Sequence, residues 1–358
     1  MRVAIIYNAV DGNCDPSELD VLDQAQTVGK ALDVLGVTYA ALPITKIFKD
    51  LMYGIERFRP DIVFNLVESV SGKDELHPNI AAVLELIGLP FTGSSARGLW
   101  LTTDKIIAKE IMQARGIPTP DFWTYPEDMR PYRVCRTGEW TADDHLLACG
   151  HDVRCRKTGG PWIVKPAAKD ASIGIDEDAV FSSADDLMAG LSSRWKAPDA
   201  KPFLVERYIH GREFNISMLE RPGGVECLPP AEIVFRNHPK GRPKILDWQA
   251  KWDTSALSYH NTVRSFDFTP EDLPLLEKLK ALAKACWKAF ELNGYARVDM
   301  RVDENKMPWI LEINANPCLS GNAGFMAAAR EGGLSKEEVI KRILEAAMRY
   351  EQPLSHKP

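Results

Sequence analysis

Two segments near the C-terminal end place metal-binding residue types opposite one another. Ala296-Arg297-Val298-Asp299-Met300-Arg301-Val302 and Trp309-Ile310-Leu311-Glu312-Ile313-Asn314 both alternate polar and apolar side chains, as strands with one wet face do. With residues 303–308 as the turn, Asp299 opposes Glu312 and Arg297 opposes Asn314 on one face. On the other face Val298 meets Ile313, Met300 meets Leu311 and Val302 meets Trp309. Two carboxylates and an amide oxygen brought to one spot suit a hard cation such as Mg²⁺, which binds oxygens at roughly 2.0–2.1 Å and completes its shell with substrate phosphates. A solvated hairpin face carrying a salt bridge fits the same alternation. The hairpin alone leaves both readings open.

Two further segments carry charge at strand ends. Trp162-Ile-Val-Lys165-Pro166 puts a lysine at the end of an apolar run and leads into Ala167-Ala-Lys-Asp-Ala-Ser172-Ile-Gly174. A strand-end ammonium beside a Ser/Gly loop can hold phosphate oxygens, although such lysines are commonly just solvated. No G-x-x-x-x-G-K-[ST] is present, so this is not a P-loop. Phe203-Leu-Val-Glu206-Arg-Tyr208-Ile209, followed by Gly211-Arg-Glu213, is a strand, a bend and a strand. Glu206 there could read an adenine edge and Glu213 ribose hydroxyls, although in isolation such a segment is more commonly an ordinary hairpin.

The elements that must position these residues alternate along the chain. Val3–Tyr7, Val37–Leu42 and Asp61–Leu66 read as strands separated by helical signals, including Ile80–Ile87, which favours a mostly parallel, helix-covered sheet. A helix is expected from near Thr102 to Arg115. Residues 126–161 form an irregular insertion rich in Pro, Gly, Arg and Cys. Trp162–Lys165, Phe203–Tyr208, Glu213–Leu219 and Ala231–Phe235 follow as strands with a helix near 184–195. Then come a long amphipathic helix over Glu271–Leu292, the hairpin, and a closing helix over Ser335–Arg349. At 358 residues, 45% hydrophobic and 26% charged, the chain is an ordinary globular protein of two or three domains. Its formal charge of −6 supplies no basic field for nucleic acid, and no apolar stretch is long enough to cross a bilayer. Seven cysteines without a CxxC pair, and a start that runs straight into a strand, predict a cytoplasmic protein rather than a secreted disulfide scaffold.

Taken together, Lys105, Val164-Lys165-Pro166, Glu206, Gly211-Arg-Glu213, Lys251, Arg297-x-Asp299 and Leu311-Glu312-Ile-Asn314 resemble the ATP-grasp ligases, and among them the D-alanine–D-alanine ligase branch. The order and spacing fit from Asp61 to about Arg330. The resemblance implies an α/β fold with an α+β lid. Its parts would be an N-terminal parallel α/β domain over 1–101, a central lid over 102–210 carrying the insertion, and a C-terminal mixed-sheet domain over 211–358. It implies ATP with Mg²⁺, or Mn²⁺ in its place, as cofactors. Lys105 and Lys165 would contact phosphates under a loop containing Ser172, and Lys251 would reach the γ-phosphate. Glu206 and the Tyr208–Ile209 backbone would meet adenine, Leu311 would pack against it, and Glu213 would meet ribose. Asp299, Glu312 and Asn314 would hold the metal, with Arg297 facing the reacting carboxylate. Arg297, Lys251 and Ser172 are thus the expected catalytic set. The implied reaction joins a carboxylate to an amine through an acyl phosphate, on amino-acid-like substrates, with a homodimer as the expected assembly because its relatives are commonly dimers.

The sequence departs from that branch on the amino-acid side. The Glu–Ser signature of the first loop is not evident in Asn8-Ala-Val-Asp-Gly-Asn-Cys-Asp-Pro16. Glu68-Ser69 replaces a His-Gly, and Glu18, Asp20 and Glu68 are the candidate acids for substrate contact. The loop Glu-Gly-Ser-Ser becomes Asp170-Ala-Ser172, and Ser-Pro-Gly becomes Asn316-Pro-Cys318. This combination favours a ligase with another substrate pair. The alternatives are an ATP-grasp phosphotransferase and a non-catalytic ATP-binding scaffold. Cys135, His145, Cys149, His151 and Cys155 in the insertion match no standard zinc spacing.

Overall fold

The structure, a computed structural model, describes residues 1–10, 16–126, 160–167, 175–196 and 202–349. Ser172 and the Cys/His residues of the insertion lie outside them. The first unit is a parallel sheet in the order β2–β1–β3, from β1 (Arg2–Asn8), β2 (Thr38–Ile44) and β3 (Ile62–Asn65). Alternation along β1 feeds two cores. Val3 and Ile5 pack with helix Pro16–Val34 and with Val339, Ile340 and Ile343 of helix Lys336–Arg349. Ala4 and Ile6 pack the other way, against Ile80 and Leu84 of helix Pro78–Leu86. A strand buried on both faces is what a parallel sheet requires.

The second unit is a four-stranded antiparallel sheet, ordered β4–β7–β5–β6, from β4 (Phe122–Tyr125), β5 (Trp162–Pro166), β6 (Val180–Phe181) and β7 (Phe203–Arg207). Trp162, Val164 and Val205 face helix Ala184–Trp195 through its Leu187 and Leu191. The period of two therefore turns Ile163, Lys165, Leu204 and Glu206 to the opposite face. That is the face the site uses.

The third unit is a six-stranded sheet: β8 (Arg212–Arg221), β9 (Gly224–Cys227), β10 (Ala231–Phe235), β11 (Thr262–Ser265), β12 (Tyr295–Val302) and β13 (Pro308–Asn314), ordered β11–β10–β8–β12–β13 with β9 on β8. Ala296, Val298, Met300 and Val302 are buried in one core with Leu275, Leu276, Leu279 and Ala283 of helix Leu273–Ala289. Arg297, Asp299 and Arg301 consequently share the other face. Gly211, which leads into β8, has φ +137°, and a Cβ there would come within 2.0 Å of the Val302 carbonyl oxygen. Only glycine allows that approach.

Three expectations need correction. The hairpin register holds for Arg297–Asn314, Val298–Ile313 and Asp299–Glu312, then slips at a bulge, so Met300 pairs with Ile310 and Val302 with Pro308. Leu311 is the extra residue. A bulge can re-aim a side chain beside a site, and Leu311 lines the cleft instead of joining the apolar face. The helix expected from Thr102 is two helices, Ala96–Thr103 and Lys105–Ala114. Asp104 separates them in extended backbone, its Oδ1 accepting from Ile106 N at 2.8 Å and Ile107 N at 3.2 Å, an N-cap that alternation does not reveal. Finally, β4, β11 and the short helices Met52–Phe58, Trp248–Trp252 and Leu257–Asn261, along with helix Gly324–Glu331, were not foreseen, being too short for periodicity to register.

Candidate active site

The cleft-facing sides of the second and third sheets line a cleft of about 720 Å³. Of the expected residues it gathers Lys105, Lys165, Glu206, Tyr208, Ile209, Glu213, Lys251, Asp299, Leu311 and Glu312. Ile163, Ile175, Ile245 and Leu246 add an apolar wall, a surface suited to a flat aromatic ring. Arg297 and Asn314 are not among the residues that line the cleft, but both bond Asp299, which does. Arg297 Nε and Nη2 donate to Asp299 Oδ1 and Oδ2 at 2.8 and 2.9 Å, and Asn314 Nδ2 lies 3.4 Å from Oδ2.

The charges are arranged in linked groups. Glu206, 1% exposed, takes Lys165 Nζ on Oε1 at 2.5 Å and Lys109 Nζ on Oε2 at 2.6 Å. Burial pushes its pKa up, but the two ammonium groups outweigh that and hold it below the usual range. Lys105 Nζ lies 3.8 Å from Glu312 Oε2. Burial works against the Glu312 carboxylate, yet Lys105, Lys251, Lys165 and Arg297 bring its pKa down to about 2. Burial lowers the Lys251 ammonium, with Glu312 opposing, and raises Asp299 against the pull of Arg297. Glu312 is therefore ionised at neutral pH beside four cations. Two facing carboxylates with an amide next to them form an oxygen donor set that fits Mg²⁺.

Three contributors were missed by the sequence reading. Arg301 donates from Nη1 to Ile209 O at 2.9 Å, from Nε and Nη2 to Glu213 Oε2 at 3.1 and 2.9 Å, and from Nη2 to Lys244 O. It also lies over the Tyr208 ring, 4.9 Å from its centroid. Two-residue spacing from Asp299 could have found it. Asn215, opposite Asp299 on β8, donates to Asp299 Oδ1 at 2.7 Å; it follows Glu213 by the same spacing. Lys109 is one helical turn after Lys105, the i,i+4 relation that puts both on one face. Around the expected adenine position, Tyr208 N–H is taken by Pro161 O and Ile209 C=O by Arg301. Among the described residues this leaves the Tyr208 carbonyl and the Ile209 N–H for a base edge.

Residues 111–345 match a family model described as the D-ala D-ala ligase C-terminus. The chain is 31% identical to a D-alanine–D-alanine ligase of Pelotomaculum thermopropionicum, over 84% of each protein. It is 30% identical to the D-alanine–D-alanine ligase of Geobacter sulfurreducens, over 89% of this chain and 86% of the relative. An uncharacterized protein of Sinorhizobium fredii is 32% identical over 84% of this chain and 81% of its own length. The fold is similar to that of a D-alanine–D-alanine ligase from Bacillus anthracis, crystallised with ATP, with TM-score 0.71 at 21% identity over 98% of this chain and 97% of that one.

Proposed function

The chain belongs to the D-alanine–D-alanine ligase family, and from that premise we propose that it joins two amino-acid-like substrates through an acyl phosphate, with a pair other than two D-alanines. As a member it is an ATP-grasp, ATP-dependent ligase that forms an amide bond and releases ADP. The observation that carries the site assignment is the convergence of three lysines with Glu206, Glu213, Asp299 and Glu312 on one cleft with an apolar wall.

In this reading Lys105, Lys165 and Lys251 bind the triphosphate. The Tyr208–Ile209 backbone and Glu206 meet adenine, Leu311 and its apolar neighbours sandwich it, and Glu213 takes the ribose. Asp299, Glu312 and Asn314 are the residues to hold Mg²⁺, which when bound neutralises charge on the transferring phosphoryl group. A carboxylate oxygen of the first substrate attacks the γ-phosphorus and ADP leaves. The amine of the second then attacks the acyl carbon, loses a proton and expels phosphate. Arg297, kept in plane by its two bonds to Asp299, is suited to the tetrahedral oxyanion because its charge is permanent. Residues 102–210 act as a lid over 211–358, with 1–101 completing the amino-acid side, and closure keeps water from the acyl phosphate.

The departure in substrates is supported where the loop after β13 meets the first helix. Cys318 Sγ donates to Asp20 Oδ2 at 2.7 Å and lies 3.1 Å from Ser320 Oγ. Gln24 links Glu68, 2.7 Å from its Nε2, to Leu319 N, 3.1 Å from its Oε1. Beyond that loop Arg264 and Arg330 hydrogen-bond the carbonyls of Asn322 and Gly321, and among the described residues neither has a carboxylate partner. The test is ADP release with Mg²⁺-ATP against an array of amino-acid pairs, with mass spectrometry of active wells. A condensed product lacking one water, from a pair other than two D-alanines, is expected. D-alanyl-D-alanine as the preferred product would overturn the altered pairing, and a phosphorylated end product would move the assignment to a phosphotransferase.

A further inference from the structure

Lys109 has no part in the reaction just described, yet it is fully buried (0% exposed). Its Nζ meets Glu206 Oε2 at 2.6 Å, donates to Thr119 Oγ1 at 2.7 Å, and lies 5.9 Å from the centroid of the Phe122 ring. Thr119 Oγ1 in turn donates to Ile310 O on β13 at 2.9 Å. With its proton committed there, the Thr119 oxygen can only accept from Lys109. The other oxygen of Glu206 holds Lys165 at 2.5 Å. A continuous polar line thus runs from β13 through Thr119, Lys109 and Glu206 to Lys165 on β5, crossing from one wall of the cleft to the other.

The charge count along that line decides what it does. A carboxylate facing Lys165 alone would make a neutral pair, and phosphates would meet little net field. With Lys109 on its far oxygen, one carboxylate is shared by two ammonium groups, and the group keeps one positive charge inside a low-dielectric wall, where charge acts strongly. Burial lowers the Lys109 pKa, and Glu206 offsets that only in part. Burying an ammonium group is expensive, and apolar isosteres often match such pairs in stability. Packing alone is therefore a weak reason for a lysine here.

We propose that Lys109 is a positioning residue for the nucleotide site: it fixes Glu206 against Lys165 and supplies the second positive charge that leaves Lys165 free to attract the triphosphate. This rests on the reading that the cleft takes ATP. The experiment measures binding of ATP and of adenosine, which lacks phosphates, to the wild-type chain, Lys109→Met, Lys109→Arg and Thr119→Val. Lys109→Met should weaken ATP about tenfold while adenosine changes by less than about twofold, and the salt dependence of ATP binding should flatten. Lys109→Arg should recover most of the loss. Thr119→Val, which removes no charge, should weaken ATP by about threefold with adenosine again unmoved, and it decides the matter if Lys109→Met fails to fold. Equal losses for both ligands would put the effect of Lys109 on adenine through Glu206, or on packing, rather than on the phosphates and overturn the proposal, as would unchanged ATP affinity. A wild-type chain that binds no ATP would instead remove the nucleotide reading, and this inference with it.

Discussion

The proposed nucleotide side and the proposed amino-acid side of the site are built differently. On the nucleotide side nearly every charge has a counter-charge within reach: Lys165 and Lys109 share Glu206, Arg301 is locked to Glu213, and Lys105 stands near Glu312. On the amino-acid side like charges gather. Glu68 and Asp20 both act on Cys318, while Arg264 is lowered by burial and by the neighbouring Arg297 and Arg330. A side arranged for one ligand can have its electrostatics settled in advance. A side that leaves acids grouped at one end and guanidinium groups at the other is shaped by what it must recognise. The nucleotide side should therefore tolerate no change, and the amino-acid side should respond to change by altering preference.

The sharpest way to break this contrast is at Glu312. Glu312→Ala removes the carboxylate on which four cations converge. It should cut ADP release on the order of a thousandfold, the scale of losing a strong electrostatic contact in the transition state, with an unaltered circular dichroism spectrum. A rate within tenfold of wild type would mean that Asp299 and Glu312 hold no metal.

Arg301→Lys should come next. A lysine keeps the charge beside Glu213 but cannot reproduce the fork that reaches Ile209 O, Glu213 and Lys244 O together. The KM for ATP should rise roughly tenfold, as for losing one hydrogen bond to a charged group, with kcat held within about twofold. A loss in kcat alone would place Arg301 in the chemistry rather than in nucleotide binding.

The same contrast explains what the sequence made readable. Strand alternation sorted β12 correctly, because a half-buried strand must put Val298 and Met300 on one side and Arg297 and Asp299 on the other. It failed one residue later, since a bulge costs a ladder bond without marking the residue pattern. Leu311 was thus expected in the cleft from the family resemblance and wrongly paired by the register. Lys109 escaped because a lysine in an amphipathic helix is ordinarily solvated; its burial depends on Glu206, ninety-seven residues away in sequence. Arg264 lies on the edge strand β11, too short to show a period. Long, regular elements announce their faces. Contacts between distant segments do not.

The smallest expected effect is also the one that tests the amino-acid side directly. Burial, with Asp20 and Glu68 nearby, raises the Cys318 pKa well above that of an ordinary thiol, so at neutral pH it remains a neutral S–H that donates to Asp20. A thiol is a weak donor, and occupying Asp20 with it keeps that carboxylate from an incoming ammonium group. Cys318→Gly should release Asp20, shifting the KM for the amino-acid substrates by about threefold to tenfold and changing their order of preference. Because Cys318 touches none of the nucleotide-side pairs, the KM for ATP should stay within about twofold. Parallel steady-state titrations of ATP and of each amino-acid substrate measure both. If ATP moves as far as the amino acids do, the two sides are coupled through the loop after β13, and treating them as separately tuned is wrong. If only the amino acids move, residue 318 helps set which pair is joined.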